Sequence, residues 1–162
     1  MEIVDIDEQQ GLYNMFERNT GSYHGIPLAY RTEKEMLPTV RKYGQAFLPY
    51  SPLFQGLLAG KFRDGLSFSA RDIRSENPKF AEGRFEVYYE RYKRIQTIAD
   101  EMERPIAQVA LNWLRQKPEV TSIISGVSSL SQLRKNVAST EWDIPDDYMA
   151  KINQAIAPFE NL

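Results

Sequence analysis

The sequence predicts an α/β fold with parallel strands, and three observations carry that prediction. Two short apolar runs, 46–50 and 120–124, have the length and apolarity of strands buried on both faces of a parallel sheet. Segments with apolar steps of three and four lie before, between and after them, the period of amphipathic helices. The resulting order of helix, strand, long loop, helices, strand and helix is the alternating grammar of α/β domains. A complete eight-stranded α/β barrel takes about 250 residues, and this chain has 162. It is therefore read as part of a barrel or as a small open sheet, with about three parallel strands and about five helices.

The elements follow in order. Ile3, Val4 and Ile6 alternate among acidic residues and predict a short strand at 2–6, running on into Tyr13-Asn14-Met15-Phe16. Residues 17–31 carry Gly21, Gly25 and Pro27 without a sustained period, an irregular loop. Thr32-Glu33-Lys34-Glu35 reads as a capping box, with Thr32 accepting from the Glu35 amide and the Glu35 carboxylate reaching back. Met36, Leu37 and Val40 give that helix its apolar face, Pro38 should bend its early turns, and Gly44 ends it. The strand Ala46-Phe47-Leu48-Pro49-Tyr50 opens into a glycine-containing loop, and 62–82 is long, polar and aperiodic.

From about 84 to 103, Phe85, Tyr88, Tyr92, Ile95, Ala99 and Met102 form the stripe of a long amphipathic helix. Pro105 suits the first turn of the next, whose face is Ile106, Val109, Ala110, Trp113 and Leu114. The strand at 120–124 ends in Ser125-Gly126-Val127-Ser128. Ser129 and Gln132 form a second capping box, opening a helix with Leu133 and Val137 inward. Met149, Ile152 and Ile156 share one face of a closing helix from Asp146.

Composition excludes several functions. With no cysteine and one histidine there is no disulfide framework, thiol nucleophile or multi-histidine metal centre. A net charge of −2 gives no footprint for nucleic acid. No apolar stretch approaches the ~20 residues of a membrane helix, and the start lacks a secretory signal. The expectation is a cytoplasmic domain without nucleic-acid or membrane partners.

Chemistry is expected at the two strand-to-loop junctions, because ligands of α/β proteins bind outside the carboxyl ends of strands. Tyr50 could stack on a planar ring, and Ser51 with the following amides could hold a phosphate; a tight turn over a buried tyrosine explains the same residues. Gly126-Val127-Ser128-Ser129 leads into a helix N-terminus, an anion site or simply a capped helix. Two such junctions side by side favour a phosphate-bearing cofactor over either alone. His24, in a loop with nothing to fix it, reads as a surface histidine, and the Tyr88-Tyr89-Tyr92 cluster as packing.

These junctions also resemble a known family. YSPLFQGLLAGKF at 50–62 resembles the loop after the seventh barrel strand of aldo-keto reductases, and IAQVALNWLRQKPEVTSIISGVSSLSQLRKN at 106–136 their following helix, eighth strand and cofactor-binding helix. Gln10-Gly11-Leu12-Tyr13-Asn14 resembles the end of the sixth strand, and EWDIPDDYMAKI at 141–152 the closing helix. The resemblance implies a partial (β/α)8 TIM barrel over 1–162, a single incomplete domain corresponding to strands six to eight, and NADP(H) as cofactor. It implies that Gln10 bonds the nicotinamide carboxamide and Tyr50 stacks on its ring, with Tyr13 and Asn14 lining the site. Ser51, Pro52, Leu53 and Gln55 would wrap the pyrophosphate, with Lys61 on a phosphate. Arg74 would sit near the adenosine phosphate, Arg71 competing for that role. Gly126, Ser128, Gln132 and Asn136 would surround the adenine ribose and base. Ser128 is similar to the potassium-channel β-subunit branch, where many relatives place a cation.

Departures accompany the resemblance. Ser125 replaces a usual proline, Lys135 replaces a usual acid, and the loop 19–31 is longer than most relatives carry. The family's Asp, Tyr, Lys and His tetrad comes from the first half of the barrel, which these residues do not include, so no catalytic residue is assigned. The implied function is the cofactor-binding half of a reductase acting on a small carbonyl substrate, complete only with an N-terminal half-barrel chain or through self-association. The alternative is a truncated, inactive relative serving as a nucleotide-binding or self-associating structural module.

Overall fold

The strand Glu8–Leu12 (β1) opens the architecture; the computed structural model describes residues 7–62, 68–69, 71–81 and 83–157. The strand expected at 2–6 lies outside the described residues. A two-residue-per-strand hairpin follows, Ser22–Tyr23 (β2) against Ile26–Pro27 (β3). A π-helical turn, Thr32–Met36, runs into Leu37–Tyr43 (α1), and then comes Ala46–Tyr50 (β4). Three 3-10 turns, Phe54–Ala59, Ile73–Glu76 and Pro78–Phe80, carry the chain to Arg84–Glu101 (α2). Ile106–Arg115 (α3), Leu130–Val137 (α4) and Asp146–Ile156 (α5) complete the order.

β1 and β4 pair in parallel, Gln10 opposite Leu48 and Leu12 opposite Tyr50, with α1 as the crossover. The expected strand at 120–124 does not form as a ladder. It makes two isolated parallel bridges, Phe47 with Val120 and Tyr50 with Ile124. The Thr121 amide donates to the Phe47 carbonyl at 2.9 Å and the Ile124 amide to the Pro49 carbonyl at 3.0 Å. Phe47 to Tyr50 is three steps and Val120 to Ile124 is four, so one extra residue interrupts the register as in a bulge. The parallel sheet is thus two-stranded with a broken third line of pairing.

The helices cover one face of it. Phe47 and Pro49 are buried, whereas Ala46, Leu48 and Tyr50 on the other face are half-buried, correcting the expectation of a strand buried on both faces. The core joins Tyr13 and Phe47 to Val109, Trp113 and Leu114 of α3, Ile95 and Ala99 of α2, and Ile152 and Ile156 of α5. The Trp113 indole N–H donates to Asn153 Oδ1 at 3.0 Å, which pins α3 to α5. α4 departs from expectation: Leu133 and Val137 are 46% and 52% exposed. Periodicity marks an apolar face but cannot supply the element that covers it, and no described element does.

Local signals held in part. Gly44 ends α1 at φ 64°, the left-handed conformation that suits glycine. Pro38 stands just where the π-helical turn Thr32–Met36 passes into α1, so the early turns of this helical run are irregular, as a proline there predicts. The Thr32 capping box is displaced: Arg31 precedes the turn, its amide donates to Glu35 Oε2 at 2.7 Å, and Thr32 Oγ1 donates instead to the Leu12 carbonyl at 2.7 Å. That bond ties the turn to the end of β1.

Gly11 shows how closely these layers approach. A Cβ there would stand 2.7 Å from Met36 Sδ and 2.9 Å from Phe47 Cε2. Gly11→Ala is therefore expected to destabilise the chain by about 1–3 kcal/mol through overpacking, measured by urea unfolding; a change within about 0.5 kcal/mol would mean that Met36 and Phe47 repack freely.

Candidate functional site

The chain leaves β4 through left-handed backbone. Ser51, Phe54 and Gln55 have φ of 58°, 46° and 53°, and Gly56 of 104°. Non-glycine residues in this region cost energy that the surroundings must over-determine, and such strain clusters at binding sites. Asn14, fully buried, supplies part of the constraint: its Nδ2 donates to the Ser51 carbonyl at 3.0 Å and to Glu17 Oε2 at 2.9 Å. Its Oδ1 accepts from the Phe16 and Glu17 amides, each at 2.9 Å. The segment after β1 thus holds the turn after β4.

A cavity of about 630 Å³ opens at this carboxyl end, between the loop after β4, the 124–126 segment and α4. Among the residues singled out from the sequence, Tyr50, Ser51, Pro52, Leu53, Gln55, Lys61, Gly126, Gln132 and Asn136 line it. Lys135 lines it too, as does Tyr23 from the hairpin. Among the described residues, the wall carries two cations, Lys61 and Lys135, and no carboxylate. The volume lies within the usual range for small-molecule sites, and that charge balance suits an anion.

The Tyr50 ring meets Tyr23 edge-on at 5.6 Å. Burial first, then a hydrogen bond with Tyr30, push the Tyr50 phenol above its ordinary range, so it stays neutral. At the other wall, Ser129 Oγ accepts from the Gln132 amide at 3.2 Å, as the capping box requires. Gln132 Oε1 accepts from the Ser128 amide at 2.8 Å and lies 3.0 Å from the Ser128 hydroxyl, one residue before the cap. Asn136 Nδ2 donates to Ser125 Oγ at 3.0 Å.

Gln10, Arg74 and Ser128 are not on the cavity wall. Gln10 is exposed on β1, on the level of Leu48 rather than of Tyr50. Arg74 is engaged behind the loop: its Nε donates to Asp72 Oδ1 at 2.8 Å and its Nη2 to Oδ2 at 2.5 Å. Its Nη1 donates to the Gln55 carbonyl at 3.2 Å. These bonds hold the Asp72 carboxyl down at about 2. Arg71 is exposed. A Cβ on Gly56 would press within 3.1 Å of the Lys61 stem and 3.4 Å of Arg74 Nη1, so glycine here lets both cations approach the loop.

Tyr13 and Asn14 do not line the site but lie buried beneath it. Tyr13 Oη donates to Glu33 Oε1 at 2.6 Å, and burial raises its phenol far above the ordinary range. His24 is not the unfixed loop histidine its sequence surroundings suggest. Gln55 Nε2 donates to His24 Nε2 at 2.5 Å, and Asn77 Nδ2 lies 3.3 Å from His24 Nδ1. Partial burial, followed by the nearby Lys79 charge, lowers the imidazole from its ordinary 6.5. Nothing local in 19–31 signals these partners; only a polar cluster in a loop longer than usual could have drawn attention to it.

The profile of the aldo/keto reductase family matches residues 1–157. The chain is 29% identical over 143 residues to a probable voltage-gated potassium channel subunit beta of Arabidopsis thaliana, covering 87% of this chain and 40% of that protein. It is 30% identical over 132 residues to an L-glyceraldehyde 3-phosphate reductase of Escherichia coli, covering 77% of this chain and 37% of the relative. The fold is similar to that of the glycerol dehydrogenase of Gluconobacter oxydans, with a TM-score of 0.76 at 24% identity, over 94% of this chain and 42% of that one. The chain spans well under half the length of these relatives.

Proposed function

The chain belongs to the aldo/keto reductase family, and from that premise we propose that residues 1–162 are the carboxyl-terminal, cofactor-binding half of an NADP(H)-dependent reductase of aldehydes or ketones. One observation carries this: the cavity at the carboxyl end of the parallel strands combines an aromatic wall with two cations and, among the described residues, no carboxylate. Bound NADP(H) supplies the hydride for a carbonyl substrate.

Each residue has a task in that complex. The neutral Tyr50 ring offers its face to the nicotinamide, and the left-handed turn at 51–56 presents backbone to the pyrophosphate. Lys61 balances phosphate charge, and Lys135 adds a second cation where the family usually has an acid. Gln132, Asn136 and Gly126 border the adenosine end, with Ser128 acting through Gln132. Arg74 shapes the loop from behind, and Gln10 faces the barrel interior on β1, beside the nicotinamide end. The proton donor and its tetrad come from an N-terminal half-barrel that closes over the half-exposed sheet face and the bare face of α4. The exposed Leu130, Leu133 and Val137 favour a second reading, a self-associating structural module that holds the nucleotide without turnover.

NADPH fluorescence titration of the 162-residue chain, with size-exclusion chromatography of the same sample, tests both. Saturable binding is expected, weakened about tenfold or more in Tyr50→Ala and in Gln132→Ala. A folded sample that shows no saturable binding would overturn the cofactor assignment. Binding by a stable dimer that stays inactive with a supplied N-terminal half would select the second reading.

A further inference from the structure

We propose that the 22–27 hairpin is a clasp on the cavity, with Tyr23 as a wall against the bound dinucleotide and His24 as the positioning residue that holds Gln55, and through it the loop 51–56. The proposal rests on the NADP(H) assignment above. Nothing in the loop's sequence marks it as a site; the contacts do.

The hairpin touches the ligand loop from above. Tyr23 lines the cavity, and its hydroxyl lies 3.2 Å from Ser51 Oγ and accepts from Gln55 Nε2 at 3.4 Å. The same Gln55 nitrogen donates to His24, and Gln55 Oε1 accepts from Asn77 Nδ2 at 2.7 Å. Lys79 Nζ sits 4.7 Å from the Tyr23 ring centroid. Gln55 is the residue at φ 53° in the middle of the strained turn, so a grip on its side chain fixes backbone that would otherwise relax.

The grip is made of polar contacts. Ser22, Gly25, Ile26 and Pro27 are exposed, Ile26 at 67%, so little apolar burial holds the hairpin down. An element held by a few hydrogen bonds opens at low free energy while the core stays folded. That is the property a clasp needs: it lifts for entry and release and slows release when closed.

His24 adds a pH dependence. Its ring nitrogens face the amide nitrogens of Gln55 and Asn77. A neutral imidazole has one acceptor nitrogen and takes a hydrogen bond from one of them, the closer being Gln55, whereas an imidazolium accepts from neither. The charged groups around it are Lys79, which disfavours protonation, and Glu17, which favours it, with Tyr23 edge-on at 4.2 Å. A histidine whose folded value is lowered contributes its hold above its ordinary 6.5, and that hold is lost as pH falls through the lowered value.

Stopped-flow release of NADPH from the full 162-residue chain tests this, with circular dichroism confirming that each variant is folded. Tyr23→Ala should release about tenfold faster with a nearly unchanged association rate, and His24→Ala several-fold faster, the scale of one or two net hydrogen bonds. Tyr23→Phe keeps the wall and should fall between. Wild-type release should quicken as pH drops below 6.5, and His24→Ala should flatten that profile. Wild-type binding with release unchanged in all three variants overturns the clasp and leaves the cofactor assignment standing. A wild-type chain that fails to bind NADPH overturns both.

Discussion

Lys79→Met is expected to destabilise the chain by about 3–5 kcal/mol, because it strands a buried carboxylate. Glu17 is 2% exposed and Lys79 8%, and Lys79 Nζ pairs with Glu17 Oε1. The other carboxylate oxygen, Oε2, accepts from Asn14 at 2.9 Å. Lys79 Nζ also lies 5.1 Å from the Phe54 ring centroid, at the strained turn. Methionine matches the length of the lysine stem but leaves Glu17 without its counter-charge. Glu17→Gln in the same background removes the stranded charge and should recover most of the loss. Urea unfolding of the two single variants and the double variant reads this directly. A Lys79→Met cost below about 1 kcal/mol, the range of solvent-exposed pairs, would show that water reaches the carboxylate and that the pair is not a strut beneath the cavity.

This pair also marks where sequence reasoning stopped. β4 was legible because an apolar run after Gly44 needs only local composition, and Ala46–Tyr50 is the observed strand. The α2 stripe was legible for the same reason: Phe85, Tyr92, Ile95 and Ala99 are all buried. The cavity's nearer wall followed from what lies at strand ends. Pairing information was not local. Residues 120–124 look like a strand, yet a ladder depends on register with β4, and one extra residue breaks it. Leu133 and Val137 look inward, yet burial depends on a partner surface that the described elements do not provide. Glu17, Tyr23, His24, Asn77 and Lys79 are each ordinary loop residues by composition. They become one polar network only because the chain brings 17–24 against 77–79 over the turn at 51–56.

Asn14→Leu is expected to cost a further kind of stability, about 3–5 kcal/mol, from unsatisfied groups rather than from charge. Leucine fits the volume but offers no acceptor to the Phe16 amide and no donor to the Ser51 carbonyl or the Glu17 carboxylate. The Glu17 amide retains a backbone bond to the Asn14 carbonyl at 3.2 Å, so its loss is partial. The functional consequence is separate from the thermodynamic one. Ser51 holds φ 58° with its carbonyl fixed by Asn14, and freeing that carbonyl lets the turn relax toward ordinary backbone. Tyr50 and the loop at 51–56 would then lose their common orientation, and NADPH affinity should fall by more than tenfold even below the unfolding midpoint. Urea unfolding and NADPH titration on one preparation separate the two effects. A variant destabilised as expected but still binding NADPH normally would show that the left-handed turn is held by its own packing, and that Asn14 supports the fold without shaping the site.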